Sequence, residues 1–247
     1  MISLDATPAL DAPIAIGIDI AEPRKGLDLV ALGDDRAVLA SRGRLTVEEA
    51  VRITLALRPA VVCIDSPSGW STSGSSRSAE RELARIGIQS FRTGRDPGDH
   101  PFYRWMRVGF EVFRLVSGGY PPYRGGPVAG TAAEIFPHAS ACLLAGALRA
   151  HETSKEAFRR DVLRAAGVPE DRLPTPDRVD AGLGALTGLL ALEGGHCAAG
   201  DPGEGVILLP VASMPITPLK RRPPITADGR DTSRSTLETG PAYPPPR

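Results

Sequence analysis

Isoleucine alternates with smaller residues over positions 14–21, and this alternation predicts a buried β-strand. One face carries Ile14, Ile16, Ile18 and Ile20, and the other carries Ala15, Gly17, Asp19 and Ala21. The second face is therefore small, apart from one carboxylate. Burying an unpaired carboxylate is costly, so Asp19 must be hydrogen-bonded, paired with a cation or bound to a metal ion.

The next part of the chain predicts more β-structure and a helix. Residues 27–32 and 36–41 are β-rich runs around the turn sequence Gly33-Asp34-Asp35, so we expect three strands in antiparallel succession. Thr46 and Glu49 form a capping-box pattern that opens a helix to about residue 57. Residues 60–65 predict a buried strand ending in Asp65. The turn-forming residues 66–69 leave the carboxyl end of that strand accessible.

A basic helical insertion is expected at about residues 75–125. Ser76 or Ser78 caps a short helix that Gly87 closes, and on this helix Arg77 and Arg81 share a face. Pro101 opens a second helix, in which aromatic and apolar residues recur at helical spacing: Phe102, Trp105, Met106, Phe110 and Phe113. The pattern favours core packing over a base-stacking platform for this stripe.

The remainder alternates between strand and helix patterns. A short strand carrying Glu134 is predicted at residues 131–137, and a helix at residues 138–150. Thr153 or Ser154 is expected to cap a further helix that ends near Gly167. Asp177 is expected to cap a long helix over residues 178–192. On that helix Asp180 shares a face with Gly184 and Thr187, and the small residues allow close approach to a sheet. Residues 206–209 predict a late strand.

Composition narrows the class of protein. The 247 residues are 42% hydrophobic and have a formal net charge of zero, which argues against a strong non-specific grip on nucleic acid. Neither a membrane span nor a secretory signal is predicted, so we expect a cytoplasmic protein with no membrane partner. The widely spaced Cys63, Cys142 and Cys197 are expected to be buried thiols.

The chain is divided into three segments by its composition. We expect a flexible N-terminal arm at residues 1–13, one α/β domain at residues 14–219, and a disordered Pro-rich tail at residues 220–247.

The acids at the predicted element ends indicate a metal site. Asp19, Asp65 and Glu134 lie on successive strands, and Asp177 and Asp180 open a late helix. Strand ends of an α/β sheet converge at one edge, where crowded carboxylates repel one another unless a divalent cation neutralises them. Oxygen ligands without Cys or His suit Mg²⁺ or Mn²⁺, and two such ions support phosphodiester hydrolysis.

The order of these elements resembles the ribonuclease H fold, a mixed central sheet with three antiparallel strands followed by parallel strands and flanked by helices. More narrowly, the chain resembles domain-of-unknown-function family 429, whose members are usually described as predicted ribonuclease H-like nucleases. The motifs that carry the resemblance are Gly17-Ile18-Asp19, the run from Ile64 to Gly69, Arg77 with Arg81, the run from Glu134 to Pro137, Ser154-Lys155 and the run from Asp177 to Ala181. The last motif is also similar to the final helix of Holliday-junction resolvases, but this chain lacks their dense basic surface.

The resemblance implies roles for these residues. Asp19, Asp65 and Asp180 would be metal-binding and catalytic carboxylates, with Glu134 or Asp177 completing the set. Arg77, Arg81 and Lys155 would bind substrate, and the partner would be RNA or DNA. For Arg77 and Arg81, a solvated helix face paired with Glu80 and Glu82 is an equally weighted alternative.

The sequence leaves two alternatives to a nuclease function. A catalytically silent ribonuclease H-like binding module fits the neutral charge. An actin-like sugar kinase is disfavoured, because it needs two copies of the module and glycine-rich phosphate loops. The sequence leaves the substrate and the oligomeric state open.

Overall fold

The protein is described here by a computed structural model covering residues 14–22, 24–72 and 74–222. The predicted N-terminal arm at residues 1–13 and most of the predicted tail, residues 223–247, lie outside the described residues.

A seven-stranded mixed sheet forms the centre of the described structure, in the order β3-β2-β1-β4-β5-β7-β6. Its strands are β1 (Ala15–Asp19), β2 (Leu27–Leu32), β3 (Val38–Leu45), β4 (Val61–Asp65), β5 (Ala132–Glu134), β6 (Cys197–Asp201) and β7 (Gly205–Leu209). The β1-β2-β3 succession is antiparallel, as the turn sequence predicts. Strands β4, β5 and β7 continue the sheet in parallel with β1, and β6 closes the far edge antiparallel to β7.

Helices cover both faces of this sheet. They are α1 (Val47–Leu57), α2 (Ser78–Arg85), α3 (Arg104–Val116), α4 (Pro137–Ala145), α5 (Lys155–Ala165) and α6 (Pro176–Leu192), with short 3₁₀ turns at Pro101–Tyr103 and Glu170–Arg172. The prediction of a mixed α/β architecture is confirmed.

The two predicted faces of β1 lie in two different hydrophobic cores. Its isoleucines pack with residues of α1 and α3, among them Val51 and Phe113. Ala15, on the opposite face, packs with residues of α4, α5 and α6. Because both faces are covered, β1 is buried along its whole length, and a carboxylate at its end is drawn into the protein.

The N-cap of α1 is the residue predicted from the sequence, whereas the N-cap of α6 is a different residue. Thr46 accepts a hydrogen bond from the Glu49 amide, and the Glu49 side chain accepts one from the Thr46 amide, which completes the predicted capping box. The prediction that Asp177 caps α6 is wrong. The cap is Thr175, whose hydroxyl accepts from the Arg178 amide, and Pro176 occupies the first helical position.

The structure also differs from the sequence-based expectations elsewhere. The helix expected to reach residue 150 ends at Ala145, because Gly146 adopts a positive φ of 62°. Strand β6 was not predicted, since its Ala- and Gly-rich sequence has low strand propensity and its pairing with β7 determines the structure. Lys220 and the two residues after it, assigned to the tail, instead pair with Leu148 through main-chain hydrogen bonds of 2.8 and 2.9 Å.

The aromatic stripe of α3 is split between core and surface. Met106 and Phe113 are buried as predicted, but Phe102 is 45% exposed because it lies in the 3₁₀ turn before the α-helix begins. The phase of the stripe changes at this turn, so the pattern does not continue along one face.

Cys63, Cys142 and Cys197 are free thiols, and the first two are buried. Among the described residues, none of the helices combines the length and the apolarity needed to cross a bilayer.

Candidate metal centre and surrounding cavity

Asp19 and Asp65 are direct neighbours at the carboxyl ends of two parallel strands. The register of β1 and β4 pairs Asp19 with Asp65, as it pairs each preceding residue of the two strands. Parallel strands end at the same edge of the sheet, so both carboxyl groups lie side by side. Each carboxyl group therefore perturbs the ionisation of the other, and the negative charge of Asp65 raises the pKa of Asp19.

Asp180 joins this pair from helix α6. The small residues of α6 allow its main chain to rest directly on the sheet: a Cβ atom built on Gly184 would lie 3.3 Å from the Cα of Gly17. This close packing carries Asp180, one turn earlier, to the ends of β1 and β4. One carboxylate oxygen from each of Asp19, Asp65 and Asp180 lies within 4.8 Å of the other two, so the three could hold a metal ion. We call this group the acid triad.

Burial and neighbouring acids raise the pKa values of all three carboxyl groups of the acid triad. Burial, followed by the charge of Asp180, raises the pKa of Asp65 to about 8. Burial and the charges of Asp65, Asp180 and Asp177 raise the pKa of Asp19 well above its usual range. The pKa of Asp180 rises to about 6, mainly through burial, although Arg159 opposes this shift. Desolvation and like-charge repulsion together therefore favour protonated carboxyl groups.

Glu134 and Asp177, the two residues expected to supply a fourth ligand, lie outside the acid triad. Glu134 is buried, and its carboxylate accepts hydrogen bonds from the Arg77 guanidinium and from the Ser68 amide. Asp177 lines the same cavity as the acid triad, and its charge raises the pKa values of Asp19 and Asp180. Glu134 is thus held by a cation, whereas Asp177 adds negative potential beside the acid triad.

Arg77 and Arg81 are placed differently from each other, although they are one helical turn apart. Arg77 is 1% exposed and lies between two carboxylates, with Nη1 2.7 Å from Glu134 Oε2 and Nε 3.2 Å from Glu80 Oε1. Burial lowers the pKa of this guanidinium, but the two carboxylates outweigh burial and raise it. Arg81 is exposed, donates to the Ser76 carbonyl and is not among the residues that line the cavity.

A second set of cations reaches the cavity, and we call it the cationic wall: Arg149, Lys155, Arg159 and Arg221. Of these four residues, only Lys155 was expected from the family resemblance to bind substrate. Arg159 donates to Asp180, with an Nη1–Oδ1 distance of 2.6 Å. Its position one helical turn after Lys155 is a sequence signal that could have identified it. No sequence pattern indicates that Arg221 lies in the cavity, because its position depends on the pairing of the C-terminal segment with Leu148.

A single cavity with a volume of about 860 Å³ lies between these groups of residues. The acid triad and the cationic wall line it together with Phe91 and Trp105. Phe91 is 63% exposed and contacts Trp105 with ring centroids 6.1 Å apart. One concave site thus combines crowded carboxylates, cations and accessible aromatic rings, and its size is that of a small-molecule or nucleotide pocket.

Comparison with known protein families gives a match to the family described as "Protein of unknown function (DUF429)", over residues 17–204. The match covers more than half of the chain and includes every residue of the acid triad. Searches of curated proteins and of solved structures return no match.

Proposed function

We propose that this chain, which belongs to the DUF429 family, is a metal-dependent nuclease that hydrolyses phosphodiester bonds in RNA or DNA. The observation that carries the proposal is the acid triad, three carboxylate oxygens from distant parts of the chain within 4.8 Å of one another. We further propose that the fold is ribonuclease H-like. The strand order β3-β2-β1-β4-β5, antiparallel and then parallel, with α6 bringing the last acid, supports this assignment.

The chemistry of the acid triad fits a hard divalent cation. Its three ligands are carboxylate oxygens, a donor set that suits Mg²⁺ or Mn²⁺ better than softer metals. The raised pKa values of Asp19 and Asp65 reflect burial and mutual repulsion that a cation would relieve. Bound there, the metal would supply a Lewis acid for the phosphoryl oxygens and an activated water.

Other residues of the cavity would hold the acid triad in place. Arg159 restrains the Asp180 carboxylate through two hydrogen bonds. Arg77 would orient the Glu134 carboxylate beside the triad through two hydrogen bonds. Asp177 would strengthen the negative potential that attracts a cation.

The lining of the cavity supports nucleic acid as the substrate class. Guanidinium and ammonium groups suit phosphate oxygens, and Phe91 and Trp105 offer ring faces on which bases stack. Since the formal net charge of the chain is zero, these local contacts would have to provide the affinity.

A catalytically silent binding module is the second candidate. The observation in its favour is the Arg159–Asp180 ion pair, in which a protein cation already neutralises one carboxylate of the acid triad. If that pair is permanent, the cavity would bind nucleotides without metal chemistry.

Hydrolysis assays separate the two candidates. We expect labelled single-stranded RNA or DNA to be cleaved with Mn²⁺ or Mg²⁺ and to remain intact with EDTA. Asp65→Asn should reduce the rate at least about a hundredfold, because it removes a ligand and a charge. Asp99→Asn changes an exposed acid outside the cavity lining and is the matched control. Binding of nucleotides without cleavage at millimolar metal would favour the silent module.

A further inference from the structure

The cationic wall gathers positive charge at one side of the cavity. Arg149, Lys155, Arg159 and Arg221 line it, and the charges of all four lower the pKa of the partly buried His138 imidazole. Within the described part of the chain, Arg159 is the member that forms an ion pair with a carboxylate. Among the described residues, Arg149, Lys155 and Arg221 form no ion pair with a carboxylate, although the charge of Lys155 acts on Asp180. Like charges gathered in a cavity attract an anion.

The two outer arginines are oriented by the main chain. Arg149 Nη1 donates to the Ala150 and Thr153 carbonyls, and Arg221 Nη1 donates to the Arg149 carbonyl at 3.0 Å. In the described residues these contacts use Nη1, so Nη2 and Nε of both guanidiniums remain available to a ligand. Pairing of the C-terminal segment with Leu148 holds Arg221 in this position.

His138 adds a neutral polar group at the same place. Burial and the four cations lower the pKa of its imidazole to about 4, so the ring carries no charge at neutral pH. Its Nδ1 is buried and has no hydrogen-bond partner among the described residues. His138 therefore adds a neutral polar side chain, and not a further cation, to the lining of the cavity.

We propose that the cationic wall is a subsite for a terminal phosphate of a nucleic-acid strand, so that the protein acts on phosphorylated strand ends. This inference rests on the proposed function and names its substrate class. A phosphomonoester carries nearly two negative charges at neutral pH, whereas each internal diester carries one, so the wall matches the end of a strand better than its interior. With the terminal phosphate on the wall, the adjoining nucleotide would occupy the same cavity of about 860 Å³, which the acid triad, Phe91 and Trp105 also line.

Binding without metal tests this subsite separately from catalysis. We would measure the fluorescence anisotropy of labelled tetranucleotides with a 5′-phosphate, a 3′-phosphate or neither, using the full chain in EDTA. One of the phosphorylated strands should bind at least about tenfold more tightly than the unphosphorylated strand. Lys155→Ala and Arg221→Ala should each remove most of this preference. Lys220→Ala is the matched control, because Lys220 is the exposed neighbour of Arg221 and does not line the cavity.

The outcomes distinguish the subsite from the proposed nuclease. Equal affinity for all three strands, or a preference that survives both substitutions, would overturn the subsite even if metal-dependent cleavage is observed. A preference that Arg221→Ala removes would support it even if no strand is cleaved. Ribose 5-phosphate that competes as well as the phosphorylated strand would show that the ligand is a small sugar phosphate, which would overturn the assignment to strand ends.

Discussion

Gly17 and Ala181 bring the main chains of β1 and α6 into direct contact. A Cβ atom built on Gly17 would lie 1.9 Å from the carbonyl oxygen of Ala181, far inside any allowed distance. The absence of a side chain at Gly17 therefore sets how deeply α6 lies on the sheet, and with it the distance from Asp180 to Asp19 and Asp65.

Gly17→Ala should destabilise the protein and disrupt the acid triad together. We expect the free energy of unfolding to fall by at least about 1–3 kcal/mol, because the new methyl group meets helix backbone that cannot rotate away. Mn²⁺ affinity, measured by calorimetry, should fall as well. Gly118→Ala is the control: a Cβ there has no atom within 4 Å, and the change should stay within about 0.5 kcal/mol. Equal stability of the two variants would contradict the close contact.

Arg77 and Arg81 provide a second matched pair. Arg77→Ala would leave the buried carboxylates of Glu134 and Glu80 without their cation, so we expect a loss of about 3–5 kcal/mol in urea unfolding. Arg81→Ala should change stability by less than about 0.5 kcal/mol, because that side chain is exposed. If Arg77→Ala instead folds normally and loses affinity for phosphorylated ligands, the hypothesis that Arg77 holds a substrate phosphate regains support.

The effect of Asp19→Asn on protein stability tests whether Asp19 binds a metal ion. In the parent, Mn²⁺ at a hundred times its dissociation constant should add about 2.7 kcal/mol to the free energy of unfolding. The variant should lose this gain, while its metal-free stability stays equal or rises because one crowded charge is removed. Melting curves of both proteins with and without Mn²⁺ measure the two effects. If Mn²⁺ does not raise the melting temperature of the parent, and the variant is less stable than the parent, the role of Asp19 is purely structural.

The contribution of Asp65 to the stability of the metal-free protein should fall as the pH rises from about 4 to about 8. The pKa of Asp65 is about 8 in the folded protein against an ordinary value of 3.8, so the folded state binds more protons across this interval. The stabilisation from this group is therefore complete below pH 4 and is lost as the pH passes 8.

Urea unfolding between pH 4 and pH 9 in EDTA measures this dependence, with Asp65→Asn as the control that cannot ionise. The difference in stability between parent and variant should change across the interval in favour of the variant as pH rises. A constant difference would show that Asp65 does not titrate in this range.

Two truncations locate the end of the packed domain. Ending the chain after Arg222 should leave the melting temperature nearly unchanged, because residues 223–247 contain little apolar sequence. Ending it after Leu219 should lower the melting temperature by a few degrees. The shorter chain loses two main-chain hydrogen bonds to Leu148 and the Arg222 guanidinium that lies 5.6 Å from the Phe158 ring centroid. Identical melting curves for the two truncations would show that this segment does not contribute to stability.

Local patterns in the sequence were enough to predict the elements that carry the acid triad. The alternation over residues 14–21 assigns both faces of β1, because side chains of a strand alternate regardless of what covers them. The Thr46–Glu49 capping box depends on four consecutive residues and was confirmed. Asp19 and Asp65 could be expected to meet, since parallel strands end at a common edge.

Only the tertiary structure decided which charges pair across the site. Glu134 and Arg77 are 57 residues apart, and the two buried side chains form an ion pair that no local pattern reports. Arg221 reaches the cavity because a segment near the end of the chain pairs with Leu148. Periodicity records which face of an element is apolar, but the partner of a charged side chain depends on how distant elements pack, and that information lies in the three-dimensional arrangement.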